Sequence, residues 1–195
     1  MRDLSLHILD IVQNSISAGA SIIKIQIKQN YNNALHKNNL ELTIIDNGKG
    51  MDFELIRKAV DPFVTTRTSR KVGLGIPLIK ESAEKCGGEF KLNSQINHGT
   101  EVFAAFSVHH IDRLPLGDIG ETMFALISSN PEIQFTLLLN SEKGDFMLDT
   151  ADIAKSLEGV KITEYAVLNW LKEYVDDGIK NIFGGVLNEV DSRIG

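Results

Sequence analysis

The chain predicts an α+β fold, a mixed sheet carrying helices, and three observations lead there. Apolar residues recur with helical spacing over residues 3–17, and they alternate with period two over 22–28, 40–45, 89–93 and 101–109. The two kinds of segment follow one another in an order that is not a simple βαβ repeat. The 195 residues allow one large domain, or a domain of usual size with a smaller companion. With 43% hydrophobic residues, 24% charged residues and 4 Pro, disordered and collagen-like classes are excluded. The single cysteine, Cys86, excludes a disulfide framework and fits a reducing, cytoplasmic setting. No run of about 18 apolar residues exists, so neither a membrane span nor an export signal is expected.

The first helix starts at Asp3, a suitable N-cap, and runs to about Ser17. At about 100° per residue, His7, Asp10, Asn14 and Ser17 share one narrow arc, with Leu4, Ile8, Ile11, Val12 and Ile16 opposite. Periodicity alone suits an ordinary amphipathic surface helix; the sharper reading turns the polar arc toward a ligand. After Ala18-Gly19-Ala20 come a strand, Ile22 to Lys28, a polar hairpin-like stretch from Gln29 to Asn39, and a second strand, Leu40 to Ile45. That strand ends in Asp46-Asn47-Gly48-Lys49-Gly50-Met51, where two glycines one residue apart demand a tight turn or a close approach. Residues 52–60 predict a short helix capped by Asp52. From Arg57 to Lys71 the chain carries five basic residues against one acid, Asp61, and Thr65 to Lys71 lacks apolar periodicity, which predicts a mobile loop. Gly73-Leu74-Gly75-Ile76 opens a third helix with Pro77 suited to its N1 position, and Gly87-Gly88 stops it. Two strands follow, around the turn Asn97-His98-Gly99-Thr100.

Past Asp112 to Gly117 the pattern restarts, with a helix near 118–129, strands near 133–139 and 145–148, a short helix from about 150 and a longer one from about 163. In that last helix Val167, Trp170, Leu171 and Tyr174 form an apolar face that must bury, within the chain or in a homodimer. The expected organisation is therefore two units, 1–111 and 112–195. The net charge of −6 divides into +2 over residues 1–110 and −8 over 111–195. No basic stripe is available for nucleic acid, and the acidic second unit suits docking to a protein partner.

Each motif taken alone is weak, but their order is specific. Asn14 in a helix, Asp46-x-Gly48-x-Gly50 after a strand, a basic loop, Gly73-x-Gly75 before a helix and Gly99-Thr100 before a strand resemble the GHKL ATPases with the Bergerat nucleotide fold. That superfamily includes histidine kinases, gyrase-type topoisomerases, heat-shock chaperones and MutL-type mismatch-repair proteins. The resemblance covers residues 3–110. Asp10 to Ala20 looks most like the MutL-type helix, and Asp61 to Ile76 most like histidine kinases.

The resemblance implies a two-layer sandwich with a four-stranded mixed sheet and three helices, and it implies ATP and Mg²⁺ as ligands. Asn14 would offer its amide oxygen to Mg²⁺, a hard cation that keeps several waters. Asp46 would accept from the adenine amino group, Gly48 and Gly50 would let the base approach the backbone, and Thr100 would complete the contact, through water or directly. Gly73, Leu74 and Gly75 would aim backbone N–H groups at the phosphates. Arg67, with Thr65 and Thr66, would reach the γ-phosphate, with Arg70 and Lys71 as alternatives and a plain solvated loop as the bland reading.

One position departs from the pattern. MutL-type and gyrase-type members carry a Glu four residues before the Asn, where this chain has Asp10. Asp can serve as general base but is one methylene shorter, so slow hydrolysis is expected. His7, one turn earlier, could orient Asp10; the preferred reading is that it merely solvates the helix start. With the domain beginning at residue 3 and His36, His98, His109 and His110 in loop, turn and strand-end positions, no phosphoacceptor histidine is expected, and phosphate would pass to another protein. The leading expectation is an ATPase or phosphotransferase of the histidine kinase-like class. The alternatives are a nucleotide-gated binding module with little turnover and an anti-sigma-type serine kinase.

Overall fold

The computed structural model of the chain describes residues 2–32, 37–61, 75–185 and 187. Its elements run α1 (Leu4–Ser17), β1 (Ile22–Asn32), β2 (Lys37–Asp46), α2 (Phe53–Ala59), α3 (Gly75–Lys85), β3 (Glu89–Gln95), β4 (Gly99–Ser107), α4 (Ile119–Ser129), β5 (Gln134–Ser141), β6 (Gly144–Asp149), α5 (Thr150–Ser156) and α6 (Tyr165–Phe183). The α+β class is as expected. Asp3 caps α1 by accepting the Leu6 N–H at 3.0 Å, and Asp52 does the same for α2 with Leu55 at 2.8 Å.

The strands form one six-stranded sheet in the order β3-β4-β2-β1-β5-β6. All neighbours are antiparallel except β1 and β5, which run parallel. The four expected strands are there, and two more extend the same sheet, because Ile22 to Lys28 pair with Gln134 to Asn140. The change at residue 112 is thus a change in the chain's course and not a break in its hydrogen bonding. Residues before α4 are also tied to α1, since Leu4 and Ser5 N–H groups donate to the Pro115 and Leu116 carbonyls at 2.9 Å. Arg113, buried at 3% exposure, donates to the carbonyls of Val108, Leu114 and Leu187.

The expected polar hairpin stretch from Gln29 to Asn39 is instead strand at both ends, with Gln29 opposite Leu40 and Asn30 opposite Asn39. Ladder bonds need no apolar side chains, and the Gln29 amide donates across the pair to Asn38 at 3.1 Å.

Ile23, Ile25 and Ile27 of β1, Leu40, Leu42 and Ile44 of β2, and Phe135, Leu137 and Leu139 of β5 all point to one face and are buried there under helices. The alternate residues, Lys24, Gln26, Glu41 and Thr43 among them, lie on the opposite, polar face. Gly178 of α6 lies against Phe146 of β6 so closely that a Cβ there would stand 2.7 Å from the ring.

The buried stripe of α6 differs from the expected one. It runs Leu168, Leu171, Val175, Gly178 and Ile182, a continuous i, i+3, i+7 pattern along the helix. Trp170 and Tyr174 remain 52% and 40% exposed and stack on each other with centroids 5.4 Å apart. Among the described residues no helix is long and apolar enough to cross a membrane.

The Gly178 contact gives a stability prediction. Glycine in a helix interior ordinarily costs about 1 kcal/mol relative to alanine, so a larger residue would be expected to help the helix. Here Gly178→Val should instead destabilise the protein by about 1–3 kcal/mol, because the added methyls drive Phe146 off α6. Thermal unfolding of the variant checks this.

Candidate functional site

A cavity of about 250 Å³ opens between α1 and the ends of β2 and β4. Asn14 and Ser15 approach it from α1 and Ala18 from that helix's C-cap, Asp46 and Thr100 from the sheet, and Gly50 from the loop after β2. Met51, Leu55, Ile76 and Val102 give it apolar walls. Such a mixture, a few fixed polar groups in an apolar cleft, suits a flat aromatic ligand.

Asp46 is the deepest charged group there, 7% exposed. Its two carboxylate oxygens are held separately: Oδ2 accepts the Ser15 hydroxyl at 2.7 Å and Oδ1 accepts the Gly48 N–H at 2.8 Å. Each oxygen keeps a further acceptor site, so the carboxylate is oriented without being saturated. Directly across the sheet lies Thr100, whose hydroxyl bonds Ser94 Oγ at 2.9 Å. Ser94 in turn accepts the Met51 N–H at 2.9 Å and donates to the Gly99 carbonyl at 2.9 Å.

The loop from Asp46 to Met51 is therefore a fixed wall. The Asn47 side-chain Oδ1 accepts the Ser21 and Ile22 N–H groups, both at 2.9 Å, and the Lys49 N–H donates to the Ala18 carbonyl at 3.0 Å. Gly50 has φ +64° and a Cβ there would run into the Gln95 carbonyl, so both backbone angle and close approach require glycine.

Of the residues expected from the sequence, Asn14, Asp46, Gly50 and Thr100 line this cavity, and Gly48 joins it through the Asp46 bond. Thr65, Thr66, Arg67, Gly73 and Leu74, like Arg70 and Lys71, lie outside the described residues. Gly75 opens α3, with Pro77 in the first turn at the third residue and not at N1. Asp10 is not among the lining residues; it faces Gly75, where any Cβ would strike its carboxylate. Asp10 Oδ2 is buried and has no hydrogen-bond partner among the described residues.

His7 corrects the expectation of a solvated helix start. It is 2% exposed, because α3 packs over this side of α1, and its Nδ1 has no hydrogen-bond partner among the described residues. Burial pushes its pKa below the ordinary 6.5, with Asp10 and the Gly75 carbonyl pulling the other way. Sequence reasoning also passed over Ser15 and Ser94, since a serine in a helix or strand ordinarily bonds its own backbone or water.

The donor chemistry fits Mg²⁺ held largely by a ligand. No group of three or more His, Cys, Asp or Glu among the described residues could hold a metal alone. Asn14, whose side chain carries a neutral amide oxygen, lines the cavity, and such a group suits an ion bound through one side chain, waters and phosphate oxygens.

Residues 2–110 match the family described as histidine kinase-, DNA gyrase B-, and HSP90-like ATPase. The chain belongs to this ATPase family. Curated relatives include one described as an NtrY-like sensor histidine kinase of Rickettsia bellii, 31% identical over 72 residues. Another, described as a sensor protein of Shewanella frigidimarina, is 32% identical over 72 residues. These matches cover 37% and 36% of this chain but only 12% and 11% of the relatives. Among solved structures, the N-terminal domain of a DNA repair protein is 17% identical, with a TM-score of 0.48, over 95% of this chain and 58% of that one. The Aquifex aeolicus MutL ATPase domain complexed with ADP is 16% identical, with a TM-score of 0.46, over 81% of this chain and 68% of that one.

His7 predicts a pH dependence with a definite sign. Its folded pKa lies below 6.5, so below that pH the unfolded chain takes up the proton first. The stability tied to neutral His7 is complete above pH 6.5 and is lost progressively as the pH falls beneath it. Urea unfolding between neutral pH and about pH 5 should show His7→Leu losing less stability than wild type.

Proposed function

We propose that this ATPase-family chain binds Mg·ATP in the cavity between α1 and the sheet, and hydrolyses it or passes the γ-phosphate to a partner protein. The observation that carries the reading is Asp46, a buried carboxylate turned by Ser15 and Gly48 so that it keeps acceptor capacity in a mostly apolar cleft. Adenine presents an exocyclic amino donor at that position; guanine presents a carbonyl, which two carboxylate oxygens repel. Thr100, fixed through Ser94, supplies the next polar contact.

At the other end Asn14 would hold the metal, which when bound screens phosphate charge and orients the phosphate chain. The N-terminus of α3, beginning near Gly75, offers backbone N–H groups toward an anion. Asp10 would accept a proton from the attacking water or hydroxyl. Arg67, Thr65, Thr66, Gly73 and Leu74 are proposed as phosphate contacts on the motif alone. The acidic segment 112–195 is proposed as the partner-docking unit, its exposed Trp170 and Tyr174 suiting a protein surface or a second copy, and a reducing cytoplasmic setting suits the buried free Cys86.

A second reading, nucleotide-gated binding with little turnover, is favoured by one observation. Asp10 is shorter than the family's Glu and stands against Gly75, outside the set of residues lining the cavity.

Thermal-shift titration with Mg·ATP, ADP and GTP tests the site, since a ligand of the native state raises the melting temperature by mass action. Adenine nucleotides should stabilise, GTP should not, and Asp46→Ala should erase the response while leaving a folded protein. Release of ADP separates the two readings: turnover abolished by Asp10→Ala with retained binding supports the enzyme, and binding without turnover in wild type supports the gated module.

A further inference from the structure

The two edges of the sheet differ. β3 at one end is blunted, because Lys91 stands exposed there and pairs with Glu89 at 2.8 Å. β6 at the other end has neither lysine nor proline, and its pairing with β5 runs without a bulge. The two-residue turn Glu142-Lys143 closes Ser141 against Gly144, and from that pair onward bonded and unbonded pairs alternate along the antiparallel ladder. The backbone N–H and C=O groups of Asp145 and Met147 therefore face away from β5, and among the described residues no backbone group meets them.

A row of rings leads away from this open edge on the helical side. Tyr174 of α6 lies 4.8 Å from Phe146 of β6 between ring centroids, and Trp170 stacks on Tyr174 at 5.4 Å. Exposure rises along the row, from half-buried Phe146 to 40% for Tyr174 and 52% for Trp170. On the other side of the sheet Met147 is 59% exposed beside Asp145. The charge around the edge is of one sign. Residues 134–149 hold Glu142, Asp145 and Asp149 against the single cation Lys143, and Glu173 and Asp177 follow Trp170 along α6.

We infer that β6 takes an extended segment of a partner protein as a seventh strand of the sheet, one whose side chains alternate between aliphatic and basic. This mode, which rests on the proposed docking role of segment 112–195, draws its pairing from main-chain bonds to Asp145 and Met147 and its choice of partner from alternate side chains. Side chains of the added strand that fall beside Phe146 and Leu148 meet the Tyr174 and Trp170 rings, which suits aliphatic groups. Those that fall beside Asp145, Met147 and Asp149 point to the open face, where cations meet the two carboxylates. A second copy fits less well, because antiparallel self-pairing about Met147 sets Asp145 against Asp149 twice.

The test uses the full chain and a labelled, end-capped peptide of about eight residues that alternates valine and lysine. Anisotropy of the label reads binding, and a shift in the emission of Trp170, the only tryptophan, places it. The wild type should bind; Trp170→Ala and Met147→Pro should each weaken binding by about tenfold or more. Met147→Pro removes a donor that faces away from β5, so the β5–β6 pairing stands, and the melting temperature checks that the variant folds. Should it not fold, peptides N-methylated at alternate residues, made in both phases, read the same bonds: one phase should bind like the parent and the other should not. Equal binding of both phases, with Asp145→Lys still weakening it, overturns the added strand and leaves charge-driven docking by the acidic segment standing. Equal binding of a valine and glutamate peptide overturns the basic partner. A wild-type dimer that Met147→Pro abolishes gives the edge to a second copy and overturns the inference. Failure of the wild type to bind any lysine peptide overturns it together with the docking role.

Discussion

The site depends on a carboxylate aimed inside a mostly apolar cleft. A buried carboxylate is costly unless each oxygen has a donor, and Asp46 meets that condition with one bond from a helix and one from its own loop. Those two bonds fix where the end of β2 sits relative to α1. Ser15 needs α1 at its observed distance from the sheet, and Gly48 needs the loop folded back toward Ala18. The cavity is the space that remains once both are satisfied.

Around this anchor the polar network stiffens what a ligand would touch. Ser94 links Thr100, Gly99 and Met51, so the strand end and the loop wall move as one piece. Asn47 ties the same loop to the start of β1. The pairing of β5 with β1 then makes the C-terminal half part of the platform that carries the loop, since β1 is bonded on both edges. A preorganised wall of this kind lowers the ordering cost of binding.

Much of this was legible in the sequence because its signals are local. Asp46 and Gly50 announce themselves as a strand end followed by residues that only a tight turn needs, and Asn14 by its place on a polar helical arc. The expected four strands and the caps Asp3 and Asp52 rest on short-range patterns of the same sort. What the sequence left hidden is set by contacts distant in the chain. His7 is buried because α3 covers it, and Ser15 matters because Asp46 lies 31 residues away across the core. The parallel joining of β1 and β5 has no local signature, and in α6 the exposed Trp170 and Tyr174 reflect a helix turned by its contact with Phe146.

The most direct measurement is a crystal structure of the full chain grown with Mg²⁺ and a non-hydrolysable ATP analogue. The adenine amino group is expected within hydrogen-bond distance of Asp46, with the metal and phosphates toward Asn14 and the first turn of α3. A nucleotide bound elsewhere, or a base turned away from Asp46 in this cavity, would contradict it.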